Sequence, residues 1–101
     1  MIYKINGKEI EFDIYDLDAS AKIENGITNL DKDEKQALKT LKDGKLKDGV
    51  QALYSAYRNF FIAVTGIDVV DGCNNAMKAQ KMAVDFVNQI KTSSVKKVSA
   101  N

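Results

Sequence analysis

The fold is decided by two adjoining stretches, Asp48-Gly-Val-Gln-Ala-Leu-Tyr-Ser-Ala-Tyr-Arg-Asn-Phe-Phe-Ile-Ala-Val-Thr65 and Val69-Val-Asp-Gly-Cys-Asn-Asn-Ala-Met-Lys-Ala-Gln-Lys-Met-Ala-Val-Asp-Phe-Val-Asn-Gln-Ile90. In the first, Val50, Leu53, Tyr54, Tyr57, Phe60, Phe61 and Val64 recur at helical spacing. At ~100° per residue they cover roughly a third of the circumference, the signature of a helix with one apolar face. The second projects as a helix with two stripes, Val70/Cys73/Met77/Val84/Val87 and Ala79/Met82/Ala83/Phe86/Ile90. A small domain buries one stripe per helix in its own core. The extra stripe predicts either a partner chain or a helix enveloped on both sides.

Upstream, Ile5-Asn6-Gly7-Lys8 carries the Asn-Gly pair that favours a type I′ hairpin turn. Pairing outward places Met1, Tyr3, Ile5, Ile10, Phe12 and Ile14 on one face, with strands near 2–5 and 8–14. A lone two-stranded hairpin is marginal in water, so this face must pack on helices. A helix follows from Asp16 or Asp18 to about Leu30, weakened by Gly26 by about 1 kcal/mol relative to Ala. Asp31 with Glu34 three residues on resembles a capping box and predicts a further helix to Asp43, closed by Gly44. Asp48 then caps the aromatic helix and Gly66 ends it; Asp68 or Asp71 opens the last helix, which is expected to reach about Thr92. The chain has no proline and no internal repeat. The fold class is therefore mainly α (α+β): about four helices with a short N-terminal β-hairpin (1–14) in a single domain over 1–92, and a flexible basic tail over 93–101.

At 101 residues, 45% hydrophobic and 29% charged, the chain has the composition of one ordinary globular domain. The longest uncharged run, Asn59 to Ile67, falls short of the ~20 apolar residues that span a bilayer. The N-terminus has no basic region followed by an apolar core, so no signal peptide is expected. The single cysteine, Cys73, has no internal disulfide partner, and a cytoplasmic location is expected. The net charge of +1 hides an asymmetry: residues 1–34 hold nine acidic and four basic side chains, residues 35–58 two acidic and six basic. Such halves are either solvated helix faces or surfaces that attract each other, within one fold or between copies.

Catalysis is hard to build from these residues. There is no histidine, hence neither the commonest general base nor the commonest metal ligand. Cys73 sits on an apolar stripe with no imidazole to activate it, and reads as a buried, inert thiol. Asp31, Asp33 and Glu34 lack the alternating ligands of a Ca²⁺ loop and suit a helix start. Neither Asp43-Gly44-Lys45 nor Lys47-Asp48-Gly49 has Walker spacing. The expectation is a non-enzyme without cofactor or metal.

The aromatic stripe reads first as a central core helix and second as a groove for a partner helix. Ile62 lies off that stripe, beside Gln51, Ser55 and Arg58, and is a candidate contact. The preferred partner surface is on the last helix, where Met82, Phe86 and Ile90, flanked by Ala79 and Ala83, align at i, i+4 and i+8. Methionine adapts to varied apolar neighbours, which suits such a surface. The competing reading buries this stripe in the monomer.

The opening Met1-Ile-Tyr-Lys-Ile-Asn-Gly-Lys-Glu-Ile-Glu-Phe-Asp-Ile-Tyr-Asp16 resembles small tail-assembly proteins of long-tailed bacteriophages of Gram-positive hosts, which often begin with such a hairpin. Tyr57-Arg-Asn-Phe60-Phe61-Ile-Ala-Val-Thr-Gly66 and the later Phe86-Val-Asn-Gln-Ile90 resemble the same group. The similarity spans most of the chain and carries no catalytic signature. It implies a tail assembly chaperone. Such proteins bind the long, helical tape measure protein in several copies, keep it soluble, and are displaced as the tail tube polymerises. It further implies a homo-oligomer in the cytoplasm of the infected host, absent from the mature virion; no membrane partner is expected, and nucleic acid is a weak candidate because the chain has no clear basic excess. The alternatives are a small virion structural or host-interaction protein, or a nucleic-acid-binding regulator using Lys35, Lys39, Lys42, Lys45 and Lys47.

Overall fold

The computed structural model describes residues 2–11 and 13–99, with side chains as far as residue 94. In chain order it comprises β1 (Ile2–Ile5), β2 (Lys8–Glu11), α1 (Leu17–Lys42), α2 (Leu46–Thr65) and α3 (Ala76–Ser99). The molecule is mostly helical, with three helices and an N-terminal antiparallel hairpin.

The hairpin forms in the expected register, Ile5 opposite Lys8 and Tyr3 opposite Ile10. Asn6 and Gly7 supply the positive φ that a type I′ turn demands, at 51° and 73°. Tyr3, Ile5, Ile10 and Ile14 are buried on one face. Met1 and Phe12, placed on that face by the alternation, lie outside the described residues.

Two of the four expected helices are one. Asp31 does not start a helix; it pairs with Lys35 at 2.9 Å, an i,i+4 contact on the solvent side of α1. The true cap is Asp16, whose carboxylate accepts from the Ala19 amide at 3.0 Å. Gly26 does not break the helix either, because it marks a close approach. A Cβ there would stand 2.6 Å from Cγ2 of Val64 on α2. A second close approach occurs near the α1–α2 turn, where a Cβ at Gly49 would meet the Leu41 side chain at 2.5 Å. Contacts that only glycine permits let α1 lie close along α2, and that packing outweighs the propensity cost of Gly26.

The last helix also starts later than Asp68 or Asp71. Residues 67–75 form an irregular loop whose Val69 and Val70 are fully buried. Their carbonyls are held by side chains from elsewhere, Asn6 Nδ2 donating to Val69 O at 2.8 Å and Tyr54 Oη to Val70 O at 2.7 Å. Lys8 Nζ donates to Asp68 O at 2.6 Å, and Arg58 Nε to the Asp68 carboxylate at 2.9 Å. Three of these bonds give the carbonyls of Asp68, Val69 and Val70 partners that a helix would otherwise supply, and the fourth fixes the Asp68 side chain. Gly72 and Asn74 turn the chain with positive φ, and Asn75 caps α3, its Oδ1 accepting from the Lys78 amide at 3.0 Å. At its other end α3 continues past Thr92 to Ser99, so the expected tail is helical over 93–99; Ala100 and Asn101 lie outside the described residues.

α2 is the central element. Its Leu53, Ala56, Tyr57, Phe60 and Phe61 are buried, with α1 and α3 both packed on it and β1 packed on α3. The rings of Tyr3, Phe60 and Phe61 all meet Phe86 edge-on, with centroids 5.6, 6.2 and 5.5 Å away.

Candidate binding groove

The stripe expected to face a partner faces the interior instead. Ala79, Ala83, Phe86 and Ile90 are buried, and Met82 is half-buried against the same core. The reason is the hairpin: β1 covers one flank of α3 and α2 its base, so this stripe is enclosed by its own chain. Of the six candidate contact residues only Ile62 is exposed, at 41%. The companion stripe does not exist as drawn, since Val70 and Cys73 belong to the loop before α3. Cys73 is half-buried, its thiol 3.4 Å from the Asn75 carbonyl. Of what remains, Met77 and Val84 are exposed and Val87 is half-buried against the core.

Val84 stands on one bank of an open seam. α1 and α3 both rest on α2, yet their backbones do not approach each other closely. Two hollows follow the line between them. One of about 290 Å³ lies over Ile23, Ile27 and Ile90. The next, of about 250 Å³, lies over Leu30, Glu34, Tyr57, Val84 and Val87. A separate hollow of about 900 Å³ lies along the first half of α2, beside Leu46, Val50, Tyr54, Ser55 and Arg58, and is bounded by Asn74, Asn75 and Met77, with Leu41 its one residue from α1. The α1 bank carries exposed Ile27, which lines the first of these hollows. From Ile23 to Glu34 the seam runs ~17 Å at 1.5 Å per residue, enough for about three turns of another helix.

The floor has one polar feature. Tyr57, buried to 1% exposure, donates from its hydroxyl to Glu34 Oε2 at 2.6 Å. Burial above all, and then the neighbouring Glu34 carboxylate, push the Tyr57 phenol well above the ordinary tyrosine range. It is held as a neutral donor that ties α1 to α2 beneath the seam.

Among the described residues no group of three or more His, Cys, Asp or Glu is placed to hold a metal ion, and no helix is long and apolar enough to cross a membrane. Comparison with known protein families, curated proteins and solved structures yields no match.

Pattern reading placed Tyr57 correctly in the core but missed the seam. Val84 belongs to one of the two stripes projected for the last helix, but a projection does not tell which stripe the rest of the chain leaves uncovered.

Proposed function

We propose that this protein is a non-enzymatic tail assembly chaperone, which binds the helical tape measure protein of a long-tailed bacteriophage and keeps it soluble before the tail tube polymerises. The observation that carries the reading is the open seam between α1 and α3, with Ile27 and Val84 exposed along it. An amphipathic helix laid in this seam would complete a four-helix arrangement on α2 and cover both banks. The resemblance of residues 1–16 and 57–66 to tail-assembly proteins supports the same reading and supplies the identity of the client. Binding would take place in the host cytoplasm, with several copies per client, and the protein would leave before the virion matures.

The seam suits reversible capture. Its apolar banks are interrupted by Glu34, Gln80 and Lys91, so an incoming helix gains limited apolar burial and is released readily.

The test is co-expression with the tape measure protein encoded in the same genome. The native chain should hold that client in the soluble fraction, whereas Ile27→Asp with Val84→Asp should leave a folded chaperone and an insoluble client. Equal solubilisation by both would remove the seam from the mechanism. Recovery of the native chain as a stoichiometric component of purified virions would favour the structural-protein alternative.

A further inference from the structure

We infer that copies of this chain associate end to end, with Asp16-Leu17-Asp18 of one copy seated in the hollow beside Lys45-Leu46-Lys47 of the next. The two tripeptides are the same design with opposite charge. Each puts a leucine at the first position of a helix, α1 in one case and α2 in the other, between two like charges. Leu17 is 84% exposed and Leu46 71% exposed, the two most exposed of the large apolar side chains among the described residues. A single exposed leucine is ordinary. A matched pair with reversed flanking charges calls for a cause.

The charge around Lys45-Leu46-Lys47 is locally unbalanced. Asp43 and Asp48 lie at this turn, but Lys39, Lys42, Lys45 and Lys47 outnumber them. Neither Lys45 nor Lys47 has an ion-pair partner among the described residues. Leu46 and Lys47 line the largest hollow with Val50, Tyr54, Arg58 and Met77, and no carboxylate lines it. The other end has the complement. Asp13, Asp16 and Asp18 flank Leu17 in the chain, Asp13 and Asp16 accepting backbone amides, and Asp18 has no ion-pair partner among the described residues; the cations nearest in the fold are Lys22 on α1 and Lys91 on α3, whose Ser94 carbonyl accepts from the Tyr15 hydroxyl.

These ends cannot satisfy each other within one molecule. α1 separates them by ~37 Å at 1.5 Å per residue, against a Debye length of about 8 Å at physiological salt. A second copy can bring them together. Because the two surfaces differ, the contact is heterologous, so it propagates into an open chain or closes into a ring. The inference rests on the self-association included in the proposed function, but not on the client, which plays no part in its test.

Sedimentation of the full chain alone, over a range of concentrations, tests it. The native chain should grow in mass beyond a dimer as concentration rises, and about 0.5 M salt should weaken this by at least about tenfold in apparent Kd. Leu17→Ser and Leu46→Ser alter exposed side chains and should each give a folded monomer. Mixing these two variants should restore a one-to-one dimer and nothing larger, since one supplies the intact knob and the other the intact hollow. A native chain that stays monomeric overturns the inference. So does a mixture that stays monomeric while the native chain assembles, or a pair of variants that assemble as the native chain does. Loss of client solubilisation with self-association intact would instead strike the seam.

Discussion

The two faces of α3 are built from similar residues and have opposite fates. On the closed face Ala79, Ala83, Phe86 and Ile90 vanish beneath β1 and α2. On the face toward α1, Met77 and Val84 stay more than half exposed. Hydrophobicity alone does not separate the faces, since valine and methionine are as apolar as what lies opposite. What separates them is which neighbour the chain supplies. The hairpin has just enough apolar surface (Tyr3, Ile5, Ile10) to close one flank, and α1 leans on α2 without reaching α3. The closed face therefore carries stability and the open face is available for a partner.

That division predicts a steep gradient of mutational cost across one helix. Phe86→Ala removes the ring on which Tyr3, Phe60 and Phe61 converge, and should cost about 3–5 kcal/mol in chemical denaturation. A loss below about 1 kcal/mol would mean that the face is not closed in solution. Next in size is Gly26→Ala on the α1–α2 contact. Better helix propensity contributes about 1 kcal/mol, but the new Cβ meets Val64 at 2.6 Å, so a net loss of about 1–2 kcal/mol is expected. A gain in stability would show that α1 does not lie so close to α2.

Tyr57 probes the boundary between closed floor and open seam, and does so through pH. Its phenol titrates higher in the folded chain than the ordinary value of 10.0, so folding favours the protonated form. The stabilisation is complete below pH 10 and is lost above it, as the unfolded chain ionises while the folded one does not. The decline should be about 1.4 kcal/mol per pH unit above 10, and urea titrations of Tyr57→Phe should lack that component. Equal slopes for the native chain and the variant would place Tyr57 in water.

How much of this was legible beforehand follows from the range of the forces involved. The hairpin was readable because Asn6-Gly7 and strict alternation act over a few residues. The aromatic helix was readable because its stripe is continuous and its end is marked by Gly66. The fused α1 was not, since Gly26 looks like a breaker until Val64 is seen against it, some forty positions away in the chain. Nor was the start of α3. Asp68 and Asp71 look like caps, and only the long-range bonds from Asn6, Lys8, Tyr54 and Arg58 show why that segment is a loop. The same blindness inverted the candidate site. A projection of α3 gives the angle between its stripes but not which stripe the hairpin will cover, so Met82, Phe86 and Ile90 were offered to a partner that the chain itself replaces.

The smallest expected change in the free chain is the most discriminating for function. Val84 is about half exposed, so Val84→Ser forfeits little burial in the monomer and should shift its stability by no more than about 0.5 kcal/mol. In a complex the same side chain would be covered from above, and the client helix would then stabilise the native chain by an amount that grows with ligand concentration over Kd. Thermal melts with a synthetic client helix should therefore show a rise in Tm that Val84→Ser diminishes and Ile62→Ser, on the far side of α2, leaves alone. If Ile62→Ser diminished it and Val84→Ser did not, the client would ride on α2's outer face and the seam would be vacant. The position of this one loss thus decides which face of the molecule is the working one, with the fold itself unperturbed in either variant.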